Sequence, residues 1–263
     1  MGRPAWKEGS PLYASNFFLM NPLRRKSFYE MNKVEMIVPM VIGDYTDFFA
    51  SMHHAKNCGL MFRGPENAII PNWCIYFFLF CILPEAEVNA IYKELDFELE
   101  MAAVVGPGNE LGLGKPIDVN NAADHIFWSN TEYLLHYTRD IQAWEYVPLG
   151  PFLGKSFGTT VTPWIVTLDA LEPFGCQAPK QDPPPLPYLA EKDSVNYDIS
   201  LEVQLKHDAC VITKSNFQNV YWTITQQLAH HTVNGCNLRP GDLLGTGTIS
   251  GPEPDSYGCA YLS

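Results

Sequence analysis

The amino-acid sequence predicts a β-rich α+β fold more than a doubly wound α/β sheet. One clear helical pattern begins near Ser215 and ends before Gly235, with apolar residues at helical spacing. Long segments rich in Pro and Gly separate the predicted elements, and residues 178–187 form an extended loop. Strand character is strongest in residues 36–42, 95–105 and 197–205.

The second of these strands carries an alternating acidic pattern. Residues 95–101 read Leu-Asp-Phe-Glu-Leu-Glu-Met, which places Asp96, Glu98 and Glu100 on one face of a strand. Carboxylates about 7 Å apart in such a row repel one another unless water or a cation screens them. A hard divalent cation held by oxygen ligands is one interpretation. A solvated acidic face on an edge strand is the other.

Composition excludes several classes of function. The chain has 263 residues, a net charge of -12 and seven cysteines. Its acidic balance argues against nucleic acid and against an anionic membrane surface as partners. No C-x-x-C pair occurs, so a zinc or redox motif is not expected. The longest apolar run is too short to span a bilayer. No signal peptide opens the sequence, so a cytoplasmic location is expected.

Other segments offer candidate functional residues. Asp47 lies in residues 43–48, just after the first predicted strand, where a polar turn is the competing interpretation. His54 follows closely and is a candidate general base. Residues 150–156 nearly match a phosphate-binding loop, but the spacing is one residue short, and we reject a nucleotide site there. Residues 245–251 are small, so a ligand can approach their backbone.

Taken together, these segments resemble the fumarylacetoacetate hydrolase family, and their residues are similar to those of its plant members. The resemblance covers about residues 25–73 and 94–258, and the order of the segments agrees as well as their content. It includes Asp-Phe-Glu-Leu-Glu-Met at residues 96–101 and the long stretch from Trp144 to Thr160. The other matching segments are residues 42–48, 57–63, 139–142 and 247–253.

The resemblance implies a mixed β-roll like the C-terminal domain of that family. It also implies hydrolysis of a carbon–carbon bond in 4-fumarylacetoacetate, a β-diketo dicarboxylate, to fumarate and acetoacetate. This reaction is the last step of tyrosine and phenylalanine catabolism. The implied cofactor is Mg²⁺ or Ca²⁺, and the implied assembly is a homodimer.

The resemblance also carries residue roles over to this sequence. The catalytic positions are His54, Arg139, Gln142 and Lys155. The substrate-binding positions are Phe49, Arg63 and Thr248. The metal positions are Asp47, Glu98 and Glu100, with Lys155 and Thr159 near a second ion.

The sequence departs from the family pattern at several points. Leu135 stands where the family has a fourth acidic metal ligand, and residues 74–93 and 128–138 are atypical. The sequence also stops at Ser263, before the Glu that orients the catalytic His and before several closing strands. We therefore expect residues 1–34 to be the remnant of an N-terminal region and residues 35–263 to form an incomplete catalytic domain.

Two functions from different classes follow. One is a metal-dependent hydrolase with impaired activity. The alternative is an inactive truncated isoform, or a faulty gene model, that at most binds a cation or dimerises. A related hydrolase acting on an acylpyruvate is the least favoured, because the stretch from Trp144 to Thr160 matches the first family specifically.

Overall fold

A computed structural model describes residues 29–75, 79–81, 95–109, 113–145, 153–156, 158–205 and 210–259. Most of the predicted N-terminal remnant, residues 1–28, lies outside this part of the chain, as do residues 76–78 and 82–93 of the first atypical segment. The second atypical segment is described, and its backbone forms a long strand of the main sheet.

The described residues contain both helices and strands, with strands more numerous, which confirms the β-rich α+β prediction. The strands are β1 (Tyr45–Phe48), β2 (Leu79–Cys81), β3 (Leu95–Val105), β4 (Ile126–Thr138), β5 (Gly158–Val161), β6 (Gly175–Gln177), β7 (Val195–Tyr197), β8 (Ser200–Leu205), β9 (Cys210–Asn216) and β10 (Leu243–Gly245). The α-helices are α1 (Met52–Arg63), α2 (Pro71–Ile75), α3 (Arg139–Glu145), α4 (Leu168–Leu171) and α5 (Ile224–Thr232). None of the described helices is long and apolar enough to cross a membrane.

Six of the strands form the main sheet, in the order β2-β1-β10-β3-β4-β5. Strand β1 pairs with β10 in parallel, and the other neighbouring pairs in this sheet are antiparallel. Two separate two-stranded antiparallel sheets, β6–β7 and β8–β9, complete the described strands. Strand β3 therefore lies in the interior of the main sheet, between β10 and β4.

The acidic strand is buried on both faces. Asp96, Glu98 and Glu100 are buried, and Leu99 and Met101 on the alternate positions are buried as well. The interpretation of this strand as a solvated edge is therefore wrong, because hydrogen-bonded neighbours flank it on both sides. Buried carboxylates need a cation or strong hydrogen bonds to offset their lost hydration.

The predicted strand over residues 36–42 is wrong. These residues adopt no regular structure, and Ile37 and Val41 are 75% and 89% exposed. The strand begins instead at Tyr45, where β10 supplies a parallel partner. An apolar run alone does not specify a strand, because the backbone also needs a neighbour to receive its hydrogen bonds.

The predicted helix begins nine residues too early. Ser215 and Asn216 end strand β9, and the true helix α5 starts at Ile224. Its N-cap is Thr223, which forms a reciprocal capping box with Gln226. Phe217, Tyr221, Ile224 and Leu228, the apolar residues of the predicted helix, are all buried, but Phe217 and Tyr221 precede α5. Helical spacing therefore identified the buried residues more reliably than their secondary structure.

Gly247 is required where the chain leaves β10 and passes beside β1. Its φ is +76°, and an added Cβ would lie 1.6 Å from the carbonyl oxygen of Phe48. We expect Gly247→Ala to lower the free energy of unfolding by about 2 kcal/mol or more, because strain and overlap add. Gly64 is a matched control, since its φ is +77° and an added Cβ there would meet nothing within 4 Å. Urea denaturation of both variants measures the difference, and equal losses would contradict the overlap.

Candidate active site

Three buried carboxylates converge at the centre of the main sheet. Asp47 lies on β1, and Glu98 and Glu100 lie on β3, two strands away across β10. The register partner of Asp47 on β10 is Gly245, which has no side chain to separate the acids. One oxygen from each carboxylate lies within 4.8 Å of the others. Asp47 is 51 residues from Glu98 in the chain, and Glu98 is two residues from Glu100. The pairing of the strands therefore brings the three acids together.

Lys155 is the counter-ion of this cluster. Its Nζ lies 2.6 Å from both carboxylate oxygens of Glu98 and 3.0 Å from Oδ2 of Asp47. Its side chain is 13% exposed, so water screens these ion pairs weakly. Lys155 belongs to a short 3₁₀ turn, residues 153–156, that follows α3. Glu145 at the end of α3 holds this turn by accepting hydrogen bonds from the backbone N–H groups of Leu153 and Gly154.

The three acids ionise differently. Burial raises the pKa of Asp47 to about 6, although Lys155 opposes the shift. Burial also raises the pKa of Glu100 well above its usual range, and the nearby carboxylates of Asp47 and Glu98 add to this shift. For Glu98, burial is outweighed by the positive charge of Lys155, which holds the pKa near 2. Glu98 is therefore the permanent anion of the cluster, and the other two acids take up protons first.

His54 lies beside the cluster in the first turn of α1. Ser51 caps this helix by accepting a hydrogen bond from the backbone N–H of His54. The imidazole Nδ1 lies 3.4 Å from Oγ of Ser250, and Nε2 lies 3.5 Å from Sγ of Cys58. Burial lowers the pKa of His54 to about 4, so the ring is neutral at pH 7. A neutral imidazole is the form that can accept a proton from water.

Arg139 and Gln142 form a second polar group at the start of α3. The guanidinium of Arg139 donates to Oδ2 of Asp96 at 2.9 Å from Nε, with a second contact of 2.8 Å from Nη2. It also donates from Nη1 to Oε1 of Gln142 at 3.0 Å. Asp96, the first acid of the β3 row, therefore orients Arg139 and is outside the carboxylate cluster. This contact fixes the Gln142 amide with its carbonyl toward Arg139, so its NH₂ end is turned away from that partner.

The remaining positions that the family resemblance implies differ in burial and in their contacts. Phe49 packs edge-on against the His54 ring, with centroids 5.3 Å apart. Thr248 is buried, and its hydroxyl has no hydrogen-bond partner within the described residues. Thr159 is exposed on β5. Arg63 is exposed at the end of α1, where it donates to the backbone carbonyls of Asn67 and Ala68. No described contact joins Arg63 or Thr159 to the carboxylates.

Sequence patterns missed several residues that position the site. Glu145 holds the Lys155 turn, and Gly247 donates its backbone N–H to Oε2 of Glu100 at 2.9 Å. Ser250 contacts His54 and also accepts a hydrogen bond from the backbone N–H of Gly258. The small-residue stretch 245–251 therefore approaches the protein's own acids closely. Nothing in the local sequence marks the contacts of Gly247 and Ser250, because they join residues far apart in the chain, and the Glu145 contacts go to backbone N–H groups that residue type does not reveal.

The carboxylate cluster suits a hard divalent cation. Oxygen ligands lie about 2.3–2.6 Å from Ca²⁺ and about 2.0–2.1 Å from Mg²⁺, so two ligands of one ion are at most about 5 Å apart on Ca²⁺ and about 4 Å apart on Mg²⁺. The three acids, whose oxygens lie within 4.8 Å of one another, meet the limit for Ca²⁺, and a small inward movement would fit them to Mg²⁺. Oε1 of Glu100 is buried and has no hydrogen-bond partner within the part of the chain that is described. An orphaned carboxylate oxygen is unfavourable, and a bound cation relieves it.

We expect the affinity of this site for Mn²⁺ to rise between pH 5 and pH 7. Asp47 has a pKa of about 6, and that of Glu100 is also raised, so both bind protons at pH 5 that a cation must displace. Each displaced proton changes the affinity about tenfold per pH unit below the pKa. Calorimetric titration at pH 5.5 and 7.5 measures the effect, and Asp47→Asn should reduce it to the part that Glu100 contributes. Equal affinities at both pH values would contradict the assignment.

Comparison with known proteins identifies the family of this chain. A sequence profile of the family described as Fumarylacetoacetate (FAA) hydrolase C-terminal matches residues 45–260. Fumarylacetoacetase of Arabidopsis thaliana is 69% identical over 303 aligned positions, which cover 98% of this chain and 69% of that protein. Fumarylacetoacetase of Bos taurus is 48% identical over 299 positions, with coverage of 98% and 69%. Both alignments are longer than the 263-residue chain, so they include positions that have no counterpart in it.

Solved structures share the fold at low sequence identity. Cg1458 with inhibitor aligns with a TM-score of 0.59 at 16% identity, over 88% of this chain and 73% of that one. Fumarylpyruvate hydrolase from Pseudomonas aeruginosa, in complex with Mn²⁺ and pyruvate, aligns with a TM-score of 0.53 at 17% identity, over 84% and 86%. The profile match and the high identity to the curated relatives decide the assignment. The chain belongs to the fumarylacetoacetate hydrolase family, a family of hydrolases.

Proposed function

We propose that the chain hydrolyses the carbon–carbon bond of 4-fumarylacetoacetate and yields fumarate and acetoacetate. The buried cluster of Asp47, Glu98 and Glu100, with Lys155 and His54 beside it, is the observation that carries this proposal. It combines a cation site, a fixed positive charge and a neutral base. Relatives named fumarylacetoacetase, at up to 69% identity over nearly the whole chain, support this choice of substrate.

The three carboxylates would hold Mg²⁺, Ca²⁺ or Mn²⁺, which polarises the diketone oxygens and offsets negative charge when bound. The chain's own residues perform the other tasks. His54 accepts a proton from water at its neutral imidazole, and the oxygen of that water forms the new bond to the acyl carbon. The carbon–carbon bond then breaks, and its electron pair passes to the acetoacetate part, which takes up the proton that His54 accepted and so returns the imidazole to its neutral form.

Positive side chains stabilise the charge that develops during this cleavage. Lys155 is held at the cluster by its ion pairs, and burial cannot neutralise it because Asp47 and Glu98 keep its pKa raised. Arg139 and the NH₂ end of Gln142 lie on the neighbouring helix α3 and are fixed by Asp96. Preorganised donors of this kind stabilise a developing enolate without reorganisation. Phe49 limits the motion of His54 by packing against its ring.

The direct test is a turnover assay on the full chain. Purified protein is incubated with fumarylacetoacetate and Mg²⁺, Ca²⁺ or Mn²⁺, and fumarate and acetoacetate are quantified by NMR. A Glu98→Gln, Glu100→Gln variant is the negative control. Formation of both products above this control supports the proposal. Products from an acylpyruvate but none from fumarylacetoacetate would contradict it and favour the related hydrolase.

Turnover is proposed to be slower than the ordinary enzyme range of about 1–1000 per second. The support is the position where the family resemblance places a fourth acidic ligand. In this chain that position is Leu135, whose register partner on β3 is Glu98 itself. The loss of one charged ligand next to the cluster weakens the hold on a cation.

Restoring this acid gives a specific prediction. We expect Leu135→Asp to tighten Mn²⁺ binding at least about tenfold, or about 1.4 kcal/mol, because a fourth carboxylate joins the ligand set. Leu135→Asn is the matched control, since it has similar size and polarity but no charge. Calorimetry measures both variants. Equal affinity for the Asp and Asn variants would show that this position does not contribute a ligand.

A second candidate function is cation binding without turnover. Lys155 lies directly on Glu98 and Asp47, where it neutralises part of the cluster. A protein of this kind would bind Mn²⁺ at the three acids but form no product from fumarylacetoacetate. The assay above, combined with calorimetry on the same sample, separates the two functions.

A further inference from the structure

His54 and Cys58 form a close pair whose cysteine the hydrolase mechanism does not use. They lie four residues apart on α1, so both side chains project from the same face of the helix. The distance from Nε2 of His54 to Sγ of Cys58 is 3.5 Å. His54 is buried and Cys58 is partly buried. This face of α1 therefore presents an imidazole nitrogen and a sulfur side by side.

The separation of these two atoms matches that of two ligands on one zinc ion. Zinc binds cysteine sulfur at about 2.3 Å and histidine nitrogen at about 2.0–2.1 Å, with tetrahedral geometry. Two such bonds at a tetrahedral angle place sulfur and nitrogen about 3.5 Å apart. The side chains therefore need little movement to share an ion.

The other ring nitrogen of His54 is also held as in a metal-binding histidine. Nδ1 lies 3.4 Å from Oγ of Ser250, and that oxygen also receives the backbone N–H of Gly258. A histidine that binds a metal usually directs its second nitrogen to a polar partner of this kind. With its proton on Nδ1, the ring presents the lone pair of Nε2 to the sulfur of Cys58.

We propose that His54 and Cys58 form a binding site for a soft divalent cation such as Zn²⁺, separate from the hard-cation site at the three carboxylates. The thiol of Cys58 releases its proton to solvent, and the resulting thiolate and the Nε2 lone pair of His54 each bind the ion. Water fills the remaining positions. Because the ion occupies the lone pair of His54, this site is inhibitory for proton transfer by His54.

The surroundings of the pair are electrostatically mixed. Burial raises the pKa of the Cys58 thiol to about 11, so the ion must displace a proton that the thiol holds at neutral pH. Arg63 contributes positive charge near Cys58. Glu98 contributes negative charge near both groups, whereas Arg139 and Lys155 contribute positive charge near both. Those two cations are themselves paired with Asp96 and Glu98, so their repulsion of a divalent ion is partly compensated. Mg²⁺ and Ca²⁺ prefer oxygen ligands and do not compete for the thiolate.

A second pair in the chain serves as an internal comparison. Nε2 of His231 and Sγ of Cys236 are also 3.5 Å apart. However, Nδ1 of His231 is buried without a hydrogen-bond partner in the described part of the chain, so its ring lacks the support that Ser250 gives His54. To remove any contribution from this pair, the test uses Cys236→Ala protein as its reference.

The test is a Cd²⁺ titration of the full chain in the presence of saturating Mg²⁺. Cd²⁺ is the probe because its thiolate complexes absorb in the ultraviolet, and calorimetry gives the affinity. We expect the reference protein to bind Cd²⁺ with thiolate absorption. Adding Cys58→Ala, Cys58→Ser or His54→Ala should each weaken binding at least tenfold. Unchanged Mg²⁺ binding by the Cys58 variants shows that they are folded.

Two outcomes would overturn the site. One is full Cd²⁺ affinity and absorption in both Cys58 variants, which would assign the signal to other cysteines. The other is full affinity in His54→Ala, which would show binding by the thiol alone. Neither readout needs hydrolysis, so the test of binding is independent of the proposed function, on which only the inhibitory effect rests.

Discussion

Replacing Lys155 with Met is expected to destabilise the metal-free protein by about 3 kcal/mol or more at pH 7. The change leaves Asp47, Glu98 and Glu100 buried together without their counter-ion, and breaking a buried ion pair in this way typically costs about 3–5 kcal/mol. Met keeps most of the volume and removes only the charge. The loss should shrink at pH 5, because the raised pKa values of Asp47 and Glu100 allow both acids to become neutral there.

A bound cation should reverse this effect. In Lys155→Met, Mn²⁺ replaces the missing positive charge, so it should raise the denaturation midpoint more than it does in the unmodified protein. Lys214→Met is the matched control, because Lys214 pairs with Glu202 at 3.7 Å on the surface, with side chains 66% and 38% exposed. An exposed pair contributes about 0–1 kcal/mol. Equal losses for the two Lys variants would contradict the role of Lys155 as the counter-ion of the cluster.

The acidic half of this site could be predicted from sequence, whereas its counter-ion geometry could not. The alternation of residues 95–101 is a local property, and it correctly predicted a strand with Glu98 and Glu100 on one face. The contact between Lys155 and Glu98 joins residues 57 positions apart, and only the pairing of distant strands and turns produces it. Family resemblance named Lys155 without indicating that it pairs with two of the acids.

The errors in secondary structure have a common physical cause. Residues 36–42 have strand composition, but none of the described strands pairs with them. Residues 215–219 have helical spacing but pair with β8 or form a 3₁₀ turn. In both cases the tertiary neighbours determined the backbone conformation. Backbone donors such as Gly247 were missed for a similar reason. Its main-chain N–H donates to Glu100, but nearly every residue type has a main-chain N–H, so the sequence does not show which one lies there.

Replacing His54 with Gln is expected to lower kcat/KM for fumarylacetoacetate by about 10²–10⁴-fold, because a positioned general base contributes that factor. Gln keeps a polar side chain but cannot accept the proton from water. His54 has a pKa of about 4, so in the unmodified protein it stays in its basic form down to that pH. An exposed histidine titrates near pH 6.5. We therefore expect His54 to cause no change in kcat/KM near that pH. If the unmodified chain turns over too slowly to compare, Leu135→Asp provides the background for both measurements.

The adjacent histidine is the control that separates chemistry from folding. His53 precedes His54 on α1, and neighbouring residues of a helix point about 100° apart, so only one of the two can face the carboxylates. His53 is partly exposed, whereas His54 is buried against Phe49 and Ser250. We expect His53→Gln to keep full activity and His54→Gln to lose it, with Mn²⁺ affinity unchanged in both. If His53→Gln reduces kcat/KM as strongly as His54→Gln, the assignment of His54 as the base is wrong. If His54→Gln weakens Mn²⁺ binding to the same extent as it slows turnover, His54 supports the cation site and does not transfer the proton.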